Sequence, residues 1–282
     1  MALPKFLVKR NPKQENIRRI RTLLNDCRIH TVCESARCPN IGECFSQNTL
    51  TFMILGEICT RRCRFCGVSK GKPPSPDPEE PKRVVEAVRK LGLDYVVITS
   101  VTRDDLADGG AGHFAAVIQA LHSAFPKVKV EVLVPDFQGN EPALRMVLNA
   151  DPFVLNHNLE TVPRLYPAIR PQAEYRRSLE LLCQSKRLKD NVYTKSGFMV
   201  GLGESREEIF KVLNDLKDAG CDMVTIGQYL APSPGHARVE RYLDPDEFRE
   251  FKSCGENLGL KVEAGPFVRS SYHAKDSAQG LK

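Results

Sequence analysis

No apolar run in the sequence approaches the roughly eighteen residues a membrane helix needs, which argues against a spanning segment. Residues 1 to 30 also lack the apolar core of a secretory signal, so the cysteines are expected to stay reduced, in a cytoplasmic protein. That stretch carries eight Lys and Arg against Glu15 and Asp26, but no Ser, which disfavours a remnant of an organelle transit peptide. Tryptophan is absent altogether, and neither sign of charge dominates: 41 Lys and Arg against 35 Asp and Glu leave a net charge of +6. Such a balance suits an acidic partner and does not by itself decide about nucleic acid. With 41% hydrophobic and 27% charged residues, the 282-residue chain is ordinary in composition and long enough for one sizeable core with extensions.

Cysteine is what is unevenly present. Six of the ten fall between positions 33 and 66, as two triplets. The downstream one, Cys59-Thr-Arg-Arg-Cys63-Arg-Phe-Cys66, has CxxxCxxC spacing and follows an apolar run. Three thiolates suit a cuboidal iron–sulfur cluster that normally takes four, leaving one iron open for chemistry. Structural zinc requires a closed set of four, and no Cys or His lies within twenty residues C-terminal of Cys66. The upstream triplet, Cys33, Cys38 and Cys44, lacks the paired CxxC spacings of a two-zinc DNA-binding module. Disulfides would require an oxidising compartment.

CxxxCxxC is the signature of the radical S-adenosylmethionine superfamily. Together with CxxxxCxxxxxC upstream and Arg269-Ser270-Ser271-Tyr272 near the end, it makes the chain resemble the lipoyl synthase family, from near its N-terminus to its last residues. The resemblance implies a 4Fe-4S cluster on Cys59, Cys63 and Cys66 that binds S-adenosylmethionine at its open iron. The reduced cluster would cleave that cofactor to methionine and a 5'-deoxyadenosyl radical. It implies a second 4Fe-4S cluster on Cys33, Cys38 and Cys44 with Ser271 as fourth ligand, giving up two sulfides to carbons 6 and 8 of an octanoyl chain on a carrier-protein lysine. An alkoxide is a harder ligand than thiolate, so that corner is expected to release more easily. Octanoylated lipoyl-carrier domains are the implied substrate, and a flavodoxin or ferredoxin the electron donor. No nucleic-acid or membrane partner is expected. Without the Cys triplet, Ser270 and Ser271 read as turn-capping residues. Another radical sulfur-inserting enzyme, such as one of biotin synthesis, would share Cys59, Cys63 and Cys66 alone, and a zinc-dependent nucleic-acid-binding module would need no barrel.

Apolar periodicity supplies the frame. Residues 15 to 26 place Ile17, Ile20, Leu23 and Leu24 at helical spacing among Arg18, Arg19 and Arg21: a basic amphipathic helix, either packed on the body or a docking face for an acidic carrier. Leu50 to Ile58 is predicted as one buried strand, and the proline-rich stretch 70 to 81 as a spacer ending in a helix start at Pro81. Helices near 82–91, 112–124, 140–149, 175–187, 206–219 and 245–258 then alternate with strands near 95–100, 128–134, 153–156, 192–200, 223–229 and 261–264. Strict alternation with short connections predicts a parallel sheet of α/β class, a partial (β/α)6 barrel of TIM-barrel type, as the resemblance also implies. The expected division is an N-terminal extension at 1–49, the barrel at 50–260 and a C-terminal extension at 261–282.

In such barrels the site lies in the loops after the strands. Besides the cluster loop, these are Thr99 to His113, dense in hydroxyls, acids and glycines; Asn156-His157-Asn158-Leu159-Glu160; and Gly197 to Glu204. Asn156, Gly201 and Glu204 are candidate cofactor contacts, with Arg176 as a bidentate partner for the cofactor carboxylate. The superfamily's Gly-Gly-Glu stretch after the second strand is missing, so amine binding falls to no named residue. Arg61, Arg62 and Arg64 are expected to surround the cluster with positive charge and favour its reduced state, besides serving as a solvated basic loop. Cys27, Cys183, Cys221 and Cys254 read as core or inert thiols. His122 and His236 have no companion that suggests catalysis, and His273 is placed beside the Ser motif.

Overall fold

The structure, a computed structural model, describes residues 3–9 and 14–281. Residues 1, 2 and 10–13 of the expected N-terminal extension, and residue 282, lie outside that description. The chain divides into two compact units, residues 10–61 with 67–155 and residues 1–9 with 62–66 and 156–282.

The first unit opens with α1, Gln14–Cys27. Ile17, Ile20 and Leu24 are buried along one stripe, while Arg18, Arg19 and Arg21 are exposed, so the apolar face is packed on the body as its spacing required. Arg21 pairs with Glu34 at 2.8 Å. Three parallel strands follow: β1, Thr51–Ile54; β2, Tyr95–Ser100; β3, Lys129–Leu133. Thr51 pairs with Val97, and Tyr95 with Lys129; the short strand His30–Thr31 adds an antiparallel edge against Met53 and Phe52. Each strand is followed by a helix: α2, Glu80–Leu91; α3, Ala111–Ala124; α4, Glu141–Asn149. Pro81 sits in the first turn of α2, and Gly92 closes that helix in the left-handed region. Val84, Val88, Phe114, Ile118, Leu144 and Leu148 form the buried faces of these helices.

The predicted strand over 50–58 is shorter in the structure. The chain breaks at Leu55 (φ +65°) and Gly56 (φ +86°), both in the left-handed region, before the separate strand Ile58–Cys59. A leucine there is strained, and its surroundings hold it. The Leu55 N–H donates to buried Glu80 at 2.8 Å, and a Cβ at Gly110 would stand 2.4 Å from Leu55 Cδ1. Glycine at 110 therefore makes the room that this turn needs.

β4, Val154–Asn156, ends the first unit and begins the second. The second unit then repeats the pattern with α5, Tyr175–Leu188; β5, Tyr193–Val200; α6, Arg206–Asp218; β6, Met223–Gln228; α7, Pro245–Asn257; and β7, Lys261–Gly265. Six strand–helix pairs match the predicted alternation. β7 pairs in parallel with β6 along its whole length, so the last short strand extends the sheet. Capping boxes at Ser205 with Glu208 and at Asp244 with Glu247 start α6 and α7. Phe198, Val200, Val212, Leu216, Ile226, Phe248 and Phe251 share one core, with Phe248 and Phe251 edge to face at 6.4 Å.

Candidate functional site

The CxxxCxxC loop leaves β1 through the Leu55–Gly56 turn and is pinned at its base. Ile58–Cys59 pairs in parallel with Ser69–Lys70, and the Gly71 N–H donates to the Cys59 carbonyl at 3.0 Å. Next to Cys59, the Thr60 N–H and hydroxyl both donate to the Thr102 carbonyl, at 3.1 and 2.9 Å, and the Thr60 hydroxyl accepts from the Asp104 N–H. Cys59 to Arg61 belong to the first unit, and Arg62 to Cys66 to the second. There, the Arg62 N–H donates to Gln172 at 2.7 Å, the Arg64 N–H to the Ile169 carbonyl at 2.9 Å, and the Ala237 N–H to the Arg64 carbonyl at 2.8 Å. Phe65 packs against Ile169, Tyr229 and Ala237.

Arg61 corrects the expectation of a positively charged ring. Its side chain is 4% exposed, its guanidinium grips Asp104 through Nε (2.7 Å) and Nη2 (2.9 Å), and Nη2 also donates to Asp136. Burial alone would weaken its hold on the proton; hydrogen bonds to Asp104 and Asp136 more than reverse this and push its pKa up. One cation between two carboxylates contributes no net positive charge. Only Arg62 and Arg64 of the three are exposed.

The upstream thiols sit in consecutive tight turns. Thr31 caps the short helix Val32–Ser35, the Cys38 N–H donates to the Cys33 carbonyl at 2.9 Å, and the Cys44 N–H to the Asn40 carbonyl at 2.9 Å, with Phe45 fully buried as the anchor. Burial, and then the neighbouring Cys38 and Cys44 thiolates, push the Cys33 thiol up to about 12. Neighbouring thiolates suit a cationic iron–sulfur core, and all six cysteines of the two triplets are half-buried rather than lost in the core. Among the described residues no three Cys, His, Asp or Glu side chains stand close enough together to hold a single metal ion. The fit to a cluster therefore rests on the donor chemistry of each triplet.

The remaining predicted residues divide. Asn156 is buried at the end of β4, and its Nδ2 donates to Ser270 Oγ at 2.8 Å. Arg176 is exposed in the first turn of α5. Gly201 (φ +99°) and Glu204 are committed to a turn of their own: Glu204 accepts the N–H groups of Gly201 and Leu202, and a Cβ at Gly201 would lie 2.2 Å from Gln228 Nε2. Burial pushes the Glu204 carboxyl up, while those N–H groups draw it down. In the 99–113 loop, most of the polar groups serve the scaffold. Asp108 caps α3 through Gly110 and Gly112, Arg103 pairs with Asp105, and His113 Nε2 bonds Glu80 at 2.6 Å. His273 Nδ1 meets the Asp276 carboxylate at 3.0 Å, and His122 bonds the Asp151 carbonyl. Buried Cys27 and Cys221 have thiols raised by burial, as inert core residues should.

His236 is the residue that the sequence did not reveal. Its Nδ1 meets Ser233 at 2.8 Å and its Nε2 the Cys66 carbonyl at 3.1 Å, so it braces the third cysteine of the loop. In Ala-Pro-Ser-Pro-Gly-His-Ala nothing distinguishes it from an ordinary loop histidine.

The Radical SAM superfamily model matches residues 53–216, more than half of the chain. Lipoyl synthase of Caldanaerobacter subterraneus is 58% identical over 92% of this chain and 92% of its own, and that of Aquifex aeolicus 55% identical over 92% and 94%. Among solved structures, methylornithine synthase superimposes with a TM-score of 0.56 over 98% of this chain and 90% of its own, at 13% identity. Streptococcus suis SuiB bound to S-adenosylmethionine gives 0.60 over 86% and 56%, at 12% identity. Those likenesses show the fold, the superfamily's partial TIM barrel. With cysteine spacing, the matching superfamily model and near full-length identity in agreement, the chain belongs to the lipoyl synthase family of the radical S-adenosylmethionine superfamily.

Proposed function

We propose that this lipoyl synthase divides its chemistry, the insertion of two sulfur atoms at carbons 6 and 8 of a protein-bound octanoyl chain, between its two thiol triplets. Membership of the superfamily brings one 4Fe-4S cluster and S-adenosylmethionine. Cys59, Cys63 and Cys66 would hold that cluster and leave one iron open to the cofactor. Cys33, Cys38 and Cys44, with Ser271, hold a second 4Fe-4S cluster. When bound, the first supplies the electron that cleaves the cofactor, and the second supplies sulfide.

The chain's own residues do the rest. The pinned base at Ile58–Cys59, Thr60 on Thr102 and His236 on the Cys66 carbonyl hold the backbone of the first triplet. Asn156 and the exposed Arg176 offer an amide and a guanidinium to the cofactor, while Gly201 and Glu204 act by fixing the backbone of the turn after β5. The net charge of +6 favours a small acidic lipoyl-carrier domain as the octanoyl donor, and a flavodoxin or ferredoxin as the source of electrons.

The observation that carries this reading is the pair of triplets, at family spacing, in a chain 58% identical to a lipoyl synthase. Anaerobically prepared protein is expected to contain about eight irons and eight sulfides per chain. It should form lipoyl product from an octanoylated carrier domain only with S-adenosylmethionine and reductant. About four irons would remove the second cluster, and zinc without sulfide would remove both.

A further inference from the structure

The end of β4 and the C-terminal Arg-Ser-Ser-Tyr motif are far apart in sequence and joined by hydrogen bonds. Asn156 Nδ2 donates to Ser270 Oγ at 2.8 Å, the Ser270 hydroxyl donates to Asn158 Oδ1 at 2.9 Å, and Asn158 Nδ2 donates to Glu160 Oε1 at 3.0 Å. The Ser270 hydroxyl thus receives one hydrogen bond and gives one, which fixes its direction. The motif is itself a turn: the Tyr272 N–H donates to the Arg269 carbonyl at 2.9 Å, which places Ser270 and Ser271 at the two central corners. Orienting one corner orients the other.

Two glycines make the space. A Cβ at Gly227, on β6, would lie 2.1 Å from the Val268 carbonyl oxygen and 3.2 Å from Arg269 Nη1, so only glycine lets the motif's backbone come this close. A Cβ at Gly197, on β5, would lie 3.0 Å from Asn158 Oδ1 and 2.5 Å from Thr225 Oγ1. Neither glycine has the positive φ that would explain it by conformation. Both are there for room.

We propose that Ser270, held by Asn156 and Asn158 in a cradle opened by Gly197 and Gly227, is a positioning residue that aims Ser271 at the second cluster. The role rests on the proposed ligation by Ser271. The two adjacent serines then have different tasks: one is consumed by the scaffold, and the other is left for iron.

The test uses the full chain carrying Cys59→Ala, Cys63→Ala and Cys66→Ala, in which only the second cluster forms, with about four irons. Mössbauer spectra and the rate of iron loss to a chelator are read, with no activity required. Ser271→Ala sets the scale for a lost fourth ligand. Ser270→Ala is expected to reproduce its spectrum and to speed iron loss roughly tenfold or more, as loss of a ligand's supporting hydrogen bonds does. Combining the two changes should be no faster than Ser271→Ala alone. Ser270→Thr, which keeps the hydroxyl, should return to the parent rate, and Gly227→Ala should shift in the direction of Ser270→Ala. A parent-like rate for Ser270→Ala, or a double variant in which the two effects multiply, overturns the positioning role while leaving Ser271 a ligand. A parent without its four irons, or Ser271→Ala indistinguishable from it, overturns the ligation itself and the positioning role with it.

Discussion

Replacing Cys59, Cys63 and Cys66 together with alanine is expected to abolish reductive cleavage of S-adenosylmethionine: no 5'-deoxyadenosine should form under dithionite, and iron should fall from about eight to about four per chain. The loss should be complete rather than graded because no side chain can supply the low-potential electron that breaks the cofactor's sulfur–carbon bond. The fold should survive, since the three thiols are half-buried and the loop is held by other groups: the Ile58–Cys59 backbone pairing, Thr60 on Thr102, and Arg61 on Asp104 and Asp136. Chromatography of the nucleoside product, beside circular dichroism, checks both halves. Persistent cleavage in the folded variant would move the radical site elsewhere.

The second large effect is on stability. Arg61→Met is expected to cost about 3–5 kcal/mol, the usual penalty for removing one partner of a buried ion pair. The Asp136 side chain is 0% exposed and would lose Arg61; that of Asp104, at 25%, is partly relieved by water. Urea unfolding of the variant measures the loss. Adding Asp136→Asn removes the stranded charge and should recover a substantial part of it. If Arg61→Met alone unfolds like the parent, the ion pair does not hold the loop. Arg61 lies two residues from Cys59 and from Cys63, so weaker iron retention should accompany the lost stability.

Much of this was legible from the sequence because it is local. Alternating apolar runs fixed six strand–helix pairs, since each run must bury a strand or one helix face, and Pro81 marks the start of α2. Cysteine spacing marked both thiol triplets for the same reason: their members are neighbours along the chain. What could not be read is what depends on distant partners. Arg61 looked like a surface charge until Asp136, 75 residues away, was placed against it. His113 looked like part of a polar loop, yet it bonds Glu80, which also holds the strained turn at Leu55. Asn156 looked like a cofactor contact, and one of its donors is spent on Ser270, 114 residues on. Gly201 invited a ligand in the sequence, and in the fold Gln228 and Arg241 press against its open side.

The small ladder of Ile58–Cys59 with Ser69–Lys70 makes the cysteine loop a ring of fixed circumference. Strand residues alternate sides, so adding or removing one residue within the ring would slip Ser69–Lys70 by one position against Ile58–Cys59. The spacing of the three thiols is thereby guarded by backbone pairing as well as by iron. The arc between Cys66 and Ser69 belongs to that constraint although it carries no donor. Length there should tolerate change as poorly as the cysteines tolerate replacement.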